Sequence, residues 1–166
     1  MIYESYLGGT AEMTGDKHIN PKEIEAFLTS WKDGVIAIGK AYQEADNYKD
    51  KASAFIEKHY AFNSGDVLFK PTYTSNVVFR NNPDAALSYF ISGSVSEDSG
   101  FAIKPWESIK VSDINFLIED SLYAVMGVLN LKLQNSKDIT KIAFTFILVK
   151  NNDELKIKIH HSSELI

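Results

Sequence analysis

Apolar residues recur every three or four positions across Ile24–Tyr42, which places their side chains on one stripe of an α-helix. The preceding segment, residues 20–23, reads Asn-Pro-Lys-Glu and offers an N-cap, a proline for the first turn and an acidic side chain. We therefore predict a long amphipathic helix that begins at this segment. Gly34 and Gly39 lie within it. Because glycine in a helix costs about 1 kcal/mol relative to alanine, both positions indicate a backbone or a bulky ring packed close by.

Two shorter helices are predicted downstream. The first can be capped by Asp46 or Asn47 and carries apolar residues along one side until about residues 63–65. The second opens at residues 82–84, Asn-Pro-Asp, which again combine a cap with a proline, and it stops by Gly93.

From Glu107 onward apolar and polar residues alternate, which is typical of β-strands. Four runs are predicted as an antiparallel meander: Ile109–Ile118, Leu122–Leu133, Ile139–Val149 and Leu155–His161. Short extended pieces are expected at Val67–Phe69 and Asn76–Phe79. Helices first and strands last indicate an α+β fold, in which helices pack on a curved antiparallel sheet and form a cone with a polar and aromatic pocket. We assign residues 20–166 to a single domain and residues 1–19, which lack periodicity, to a loosely ordered N-terminal arm.

The strand segment Ile142–Val149 is apolar on both of its faces. The helices can cover only the concave side of the sheet, so the outer face needs another cover. We expect a second copy of the chain to provide it, in a homodimer formed through the outer sheet face. A long loop is the alternative cover.

The composition narrows the classes of partner. The 166 residues carry a net charge of −5 and no long run of Lys or Arg, so we expect neither nucleic acid nor an acidic membrane surface as a partner. Cysteine is absent, which excludes disulfides and thiolate chemistry. No stretch is apolar enough to span a bilayer, and the first residues lack the order of a signal peptide. We expect a cytoplasmic protein by default, or a secreted or periplasmic one if a leader has been removed.

The last predicted strand carries the candidate catalytic group, His161. This residue shares its parity with the apolar residues of the strand, whereas His160 shares its parity with two lysines. A regular strand would therefore place His161 at the inner surface of the sheet and leave His160 in solvent. A buried imidazole can act as a general acid or base near neutral pH. The alternative is a histidine held only by structural hydrogen bonds, which is the commoner case.

Other side chains could line the same pocket. The candidate ligand-binding set is Trp31, Lys70, Arg80, Tyr89, Trp106 and His161. Lys70 and Arg80 could hold an anionic group, although a structural carboxylate is the more usual partner of such an arginine. The aromatic members could form pocket walls, with core packing as their alternative role. His18 and His59 add no spaced ligand cluster, so we predict no metal site and no cofactor.

Several segments resemble a known superfamily. They are Trp31–Gly34, Leu68–Thr72, Ala86–Phe90, Gly100–Trp106 and the terminal strand motif Ile159–Ser163. These segments resemble an uncharacterised bacterial group of nuclear transport factor 2-like proteins, similar to SnoaL-like proteins and to the association domain of calcium/calmodulin-dependent protein kinase II. The likeness covers residues 20–166. It implies a cystatin-like cone with a pocket between helices and sheet, dimerisation through the outer sheet face, and an inner histidine at His161.

The resemblance leaves the function open, because such relatives include isomerases, cyclases and dehydratases as well as assembly modules. Ketosteroid isomerase uses a pocket aspartate with a tyrosine and a protonated aspartic acid, and no residue here matches that trio. One hypothesis is a conical pocket that binds a small organic molecule, with an anion as one option. A second is an oligomerisation or association module without catalysis. A third is a cofactor-free lyase or isomerase with His161 as proton shuttle.

Overall fold

The computed structural model describes residues 20–166, and the predicted arm lies outside them. Residues 20–166 contain three α-helices, which are α1 (Pro21–Gln43), α2 (Tyr48–His59) and α3 (Pro83–Ile91). Each begins at an asparagine cap, because the side chains of Asn20, Asn47 and Asn82 accept a hydrogen bond from a backbone amide three residues later. The predicted helix starts are confirmed. Helix α2 ends at His59, earlier than its sequence pattern indicated, and a 3₁₀ turn follows at Phe62–Ser64.

Five strands form one sheet. They are β1 (Leu68–Lys70), β2 (Trp106–Glu119), β3 (Leu122–Leu133), β4 (Ile139–Asn151) and β5 (Glu154–Glu164). Their order is β1-β5-β4-β3-β2, with β1 parallel to β5 and the other pairs antiparallel. The α+β fold is confirmed, and the sheet is mixed rather than wholly antiparallel because of β1. Asn76–Phe79 is not a strand, since backbone amides of residues 75–77 donate hydrogen bonds to the Glu97 carboxylate instead of to a neighbouring strand.

The helices pack on the concave face of the sheet around a core rich in aromatic rings. Most of the predicted stripe of α1 is buried there, while Tyr42 at its end is exposed. Both helical glycines meet close neighbours, as predicted. A Cβ at Gly34 would lie 2.6 Å from the Phe55 ring, and one at Gly39 would lie 2.7 Å from the Ala102 carbonyl oxygen. Glycine at these positions therefore lets α1 approach α2 on one side and the 101–104 segment on the other.

Strand β5 contains an irregularity that reverses the predicted orientation of its histidines. Ile147 of β4 pairs with Ile159, but the next residue, Leu148, pairs with Ile157, so Lys158 is an extra residue in the ladder. Such a bulge shifts the alternation of side chains by one position. His160 consequently faces the core and is only 4% exposed, whereas its neighbour in the sequence, His161, lies exposed on the outer face. The prediction that His161 faces the pocket was wrong.

The outer face of the sheet carries exposed apolar side chains. Leu117 is 40% exposed, Met126 57% and Ile159 37%. Phe144, in contrast, belongs to the core and is buried by the chain itself. The apolar part of the face that we expect to dimerise is therefore narrower than the sequence pattern indicated, and it lies beside the polar residues Thr145, His161 and Ser163.

The close approach at Gly39 predicts that Gly39→Ala destabilises the protein, although alanine is the better helix former. The added methyl group would meet backbone oxygen atoms of Ala102 and Lys104, which cannot rotate away. We expect a loss of about 1–3 kcal/mol in the free energy of unfolding, measured with urea. The control is Ala37→Gly at an exposed position of the same helix, where only the helix propensity of about 1 kcal/mol should be lost. A stabilised Gly39→Ala protein would contradict the packing described above.

Candidate functional site

A narrow cavity lies between the helices and the sheet, with space for about one water molecule. Its polar wall is formed by Thr72, Tyr89, His160 and Ser162, and its apolar wall includes Trp31, Phe90, Phe101, Leu129 and Ile142. Wider grooves open on the outer sheet face and beside His59, but neither is enclosed by the helices and sheet in this way. The enclosed cavity is therefore the candidate site.

A chain of buried hydrogen bonds runs behind the cavity wall and links both layers of the fold. The Trp31 indole nitrogen on α1 lies 3.2 Å from the Tyr60 hydroxyl oxygen, just beyond α2. That oxygen lies 2.9 Å from Nδ1 of His160 on β5, and His160 Nε2 lies 2.6 Å from the Ser162 hydroxyl. His160 and Ser162 share a face of β5, because residues two positions apart lie on the same side of a strand.

Burial keeps the titratable side chains of the cavity wall and of this hydrogen-bond chain uncharged. It lowers the pKa of His160 to about 3, with the neighbouring charges of His161 and Lys70 acting in the same direction. It also raises the pKa of the Tyr60 and Tyr89 hydroxyls well above their ordinary value. Near neutral pH the cavity therefore presents hydroxyl groups and a neutral imidazole.

Strand β1 brings Thr72 to the cavity. It pairs with β5 in parallel, with Lys70 opposite His161, and the chain then continues through Pro71 to Thr72. The Lys70 ammonium group donates a hydrogen bond to the Ser162 carbonyl oxygen at 2.9 Å. Lys70 thus fixes the backbone of the site and adds a positive charge near it, but it does not line the cavity.

Arg80 is held by the protein itself. Its guanidinium group is fully buried and binds Asp98 through two hydrogen bonds of 2.5 and 2.7 Å. Asp98 also accepts a hydrogen bond from Ser88 on α3, and the Arg80 guanidinium lies 5.9 Å from the centre of the Tyr89 ring. The pairing of Arg80 with a structural carboxylate, one of the two roles considered for it, is the one observed. This ion pair, together with the Glu97 carboxylate, ties the 94–100 loop to the segment that carries Thr72.

The remaining candidates are divided between the cavity and other parts of the fold. Trp31 and Tyr89 line the cavity, whereas Trp106 donates its indole N–H to the Phe101 carbonyl and packs behind the Phe101 ring. His161 lies in the groove on the outer face. Sequence reasoning missed Thr72, His160 and Ser162, although all three lie in motifs on which the resemblance rested.

Comparisons with known proteins agree on one family. The model of the metal-independent carbonic anhydrase family matches residues 22–164. The chain belongs to this family. A metal-independent carbonic anhydrase of Nostoc sp. (strain PCC 7120 / SAG 25.82 / UTEX 2576) is 29% identical over 153 residues, which cover 89% of this chain and 75% of the relative.

Solved structures support the same assignment. The crystal structure of a cyanobacterial iota-carbonic anhydrase complexed with bicarbonate matches with a TM-score of 0.86 and 27% identity, over 92% of this chain and 96% of that chain. A Xanthomonas campestris protein described as a calcium/calmodulin-dependent protein kinase II association domain matches with a TM-score of 0.63 and 18% identity, over 91% and 95% of the two chains. Further matches are nuclear transport factor 2-like proteins, one of them with a cystatin-like fold. The resemblance to this superfamily is confirmed.

Two further observations concern residues 20–166. No group of three or more His, Cys, Asp or Glu side chains lies close enough together to hold a metal ion. None of the helices in this part of the chain is long and apolar enough to cross a membrane.

The buried histidines predict that acid destabilises this family member. Burial lowers the pKa of His160 from 6.5 to about 3 and that of His59 from 6.5 to about 4. Below pH 6.5 the unfolded chain therefore binds protons that the folded chain does not, and stability falls as the pH falls. Between pH 7 and pH 5 each histidine should remove about 2 kcal/mol from the free energy of unfolding.

Urea unfolding at the two pH values measures this effect. His160→Asn should make the fall smaller by about 2 kcal/mol, whereas Ser163→Ala, which alters an exposed group that does not titrate, should leave it unchanged. An equal fall in all three proteins would show that His160 is not the shielded ring.

Proposed function

We propose that this chain catalyses the reversible hydration of carbon dioxide to bicarbonate in the cavity lined by Thr72, Tyr89 and Ser162. The observation that carries the proposal is that three hydroxyl-bearing side chains line one small cavity with apolar walls. Membership of the metal-independent carbonic anhydrase family supports it, as does the fold shared with the bicarbonate-bound enzyme.

The walls suit both forms of the substrate. Carbon dioxide has no net dipole, so apolar rings such as Trp31 and Phe101 suit it chemically. When the oxygen of a water molecule bonds to the carbon, one pair of C=O electrons moves onto oxygen and negative charge develops there. Hydroxyl groups that are already oriented stabilise such charge strongly in an enclosed site. The positive charge of Lys70 lies on the same side, next to Ser162, and also favours the anionic product.

The proton that leaves the attacking water needs an acceptor. His160 is the one titratable base in the cavity wall, and its pKa of about 3 makes it a poor acceptor near neutral pH. We therefore assign the proton to solvent water or buffer at the cavity mouth. Within this proposal the hydroxyl groups bind and stabilise, and His160 orients Ser162.

The proposal predicts that Ser162→Ala and Thr72→Val slow carbon dioxide hydration about 10²–10³-fold, the usual cost of losing one oriented donor. Stopped-flow hydration with a pH indicator, on protein pretreated with a strong chelator, measures the rates. Ser163→Ala is the matched control, because Ser163 is exposed in the groove on the outer face. Activity that survives both cavity substitutions, or that disappears with the chelator and returns with a metal ion, would overturn the proposal. A wild-type protein that binds bicarbonate without catalysis would favour the association module.

We also infer that two copies of the chain pair through the outer sheet face. Specific interfaces bury about 1,600 Å² in total, and exposed side chains such as Met126 and Ile159 offer an apolar centre for one.

Light scattering is expected to show twice the chain mass. The double variant Met126→Lys/Ile159→Lys should shift the protein to a monomer, because it would bury charges of one sign without partners at the centre of the face. Phe79→Lys, which alters an exposed apolar residue elsewhere, is the control. A monomeric wild-type protein at micromolar concentration would refute the pairing.

A further inference from the structure

The chain of buried hydrogen bonds from Trp31 to Ser162 has a direction, because each hydrogen bond has one donor and one acceptor. We infer that Trp31 and Tyr60 fix His160 in its Nε2–H tautomer, and that this turns the hydroxyl proton of Ser162 into the cavity as a donor to a substrate oxygen. Trp31 and Tyr60 are thus positioning residues. The functional half of the inference rests on the proposed function, whereas the tautomer itself does not.

The direction is set at the far end of the chain. An indole N–H can donate but has no lone pair in the ring plane with which to accept. Trp31 therefore donates to the Tyr60 oxygen. The other partner of that hydroxyl among residues 20–166 is His160 Nδ1, at 2.9 Å. Nδ1 is thus the acceptor available to the Tyr60 proton, and it must carry no hydrogen of its own.

The consequence passes through the imidazole ring. A neutral imidazole has one N–H, so an unprotonated Nδ1 places the hydrogen on Nε2. This N–H donates to the Ser162 oxygen at 2.6 Å. The Ser162 proton then cannot point back at His160. No other described residue forms a hydrogen bond with this hydroxyl, and Ser162 lines the cavity. The acceptor that it fits is an oxygen atom of the bound molecule.

The opposite direction would leave a buried group without a partner. If His160 donated from Nδ1 to Tyr60, the Tyr60 proton would have no acceptor, in a residue that is 1% exposed. Leaving a buried donor unpaired carries its full desolvation cost. The pKa of Tyr60 is raised by burial, so loss of that proton does not relieve the conflict.

The imidazole ring is also held against rotation. The Phe69 ring stacks on it at a centroid distance of 4.5 Å and an interplanar angle of 20°. Phe146 contacts it edge-on at 4.6 Å and 84°. A flip would exchange ring nitrogens for carbons and break the bonds to both Tyr60 and Ser162. The site is therefore built to offer a donor at Ser162, which suits the oxygen atoms of carbon dioxide and bicarbonate that carry no hydrogen.

Nitrogen-15 NMR of the histidine rings, recorded without substrate, tests the tautomer directly, since protonated and unprotonated ring nitrogens have well-separated shifts. His59 is an internal reference. Its Nδ1 lies 2.8 Å from the Phe55 carbonyl oxygen, which can only accept, so His59 must be the Nδ1–H tautomer. We expect the two buried histidines to show opposite tautomers. His160→Asn assigns the signals. An Nδ1–H form at His160 would overturn the inference.

Tyr60→Phe removes one oxygen atom and keeps the ring. We expect the Nδ1 signal of His160 to move toward that of an unprotonated nitrogen without a hydrogen-bond donor, because the Tyr60 proton is lost, while His59 stays unchanged. Hydration should slow about tenfold through kcat, less than for loss of the Ser162 hydroxyl itself. Unchanged His160 shifts in a folded Tyr60→Phe protein would also overturn the inference. If that variant does not fold, the wild-type spectrum decides.

The two proposals fail separately. Opposite tautomers in a protein without hydration activity would remove the proposed function and leave the tautomer standing. Full activity with both histidines in the same tautomer would remove the inference alone.

Discussion

One extra residue in strand β5 decides which side chains reach the cavity. Before Lys158 the edge of β5 bonds to the segment after α2, where the Ala61 amide donates to the Ile157 carbonyl. After Lys158 the same edge pairs with β1. The bulge lies where the strand changes partner, and it turns His160 and Ser162 inward together. Without it, the inner face would carry His161 and Ser163 in their place.

Buried polar groups must be satisfied, and the fold does this in two separate sets. His160 and Ser162 are bonded to side chains from α1 and from the end of α2. Arg80 and Asp98 satisfy each other next to α3. Since removal of one partner from a buried pair costs several kcal/mol, both sets constrain the layers to one arrangement. The site and the stability of the fold thus depend on overlapping contacts.

Much of the architecture follows from local rules that a sequence displays. Asparagine caps, the helical stripe of α1 and the alternation of the long strands all concern neighbours within a few positions. The glycines of α1 could also be interpreted, because their cost in a helix implies a close neighbour. The bulge is different. Lys158 is extra in the ladder with β4 at the point where the other edge of β5 changes partner from the segment after α2 to β1, and that pairing is not written in the alternation of β5.

The missed residues illustrate the same limit for chemistry. Thr72 and Ser162 are common residue types, and nothing in their local sequence distinguishes a cavity hydroxyl from a surface hydroxyl. The sequence analysis placed charged residues such as Arg80 among the candidate ligand-binding groups. In the structure, Asp98 pairs with Arg80 and neutralises its charge. A site made of neutral donors gains its effect from enclosure and fixed orientation, because a hydroxyl in water gives little advantage over water itself. The properties that such a site depends on therefore belong to the tertiary structure. They are the apolar walls that exclude solvent and the hydrogen-bond chain from Trp31 to Ser162, which directs the Ser162 hydroxyl proton into the cavity.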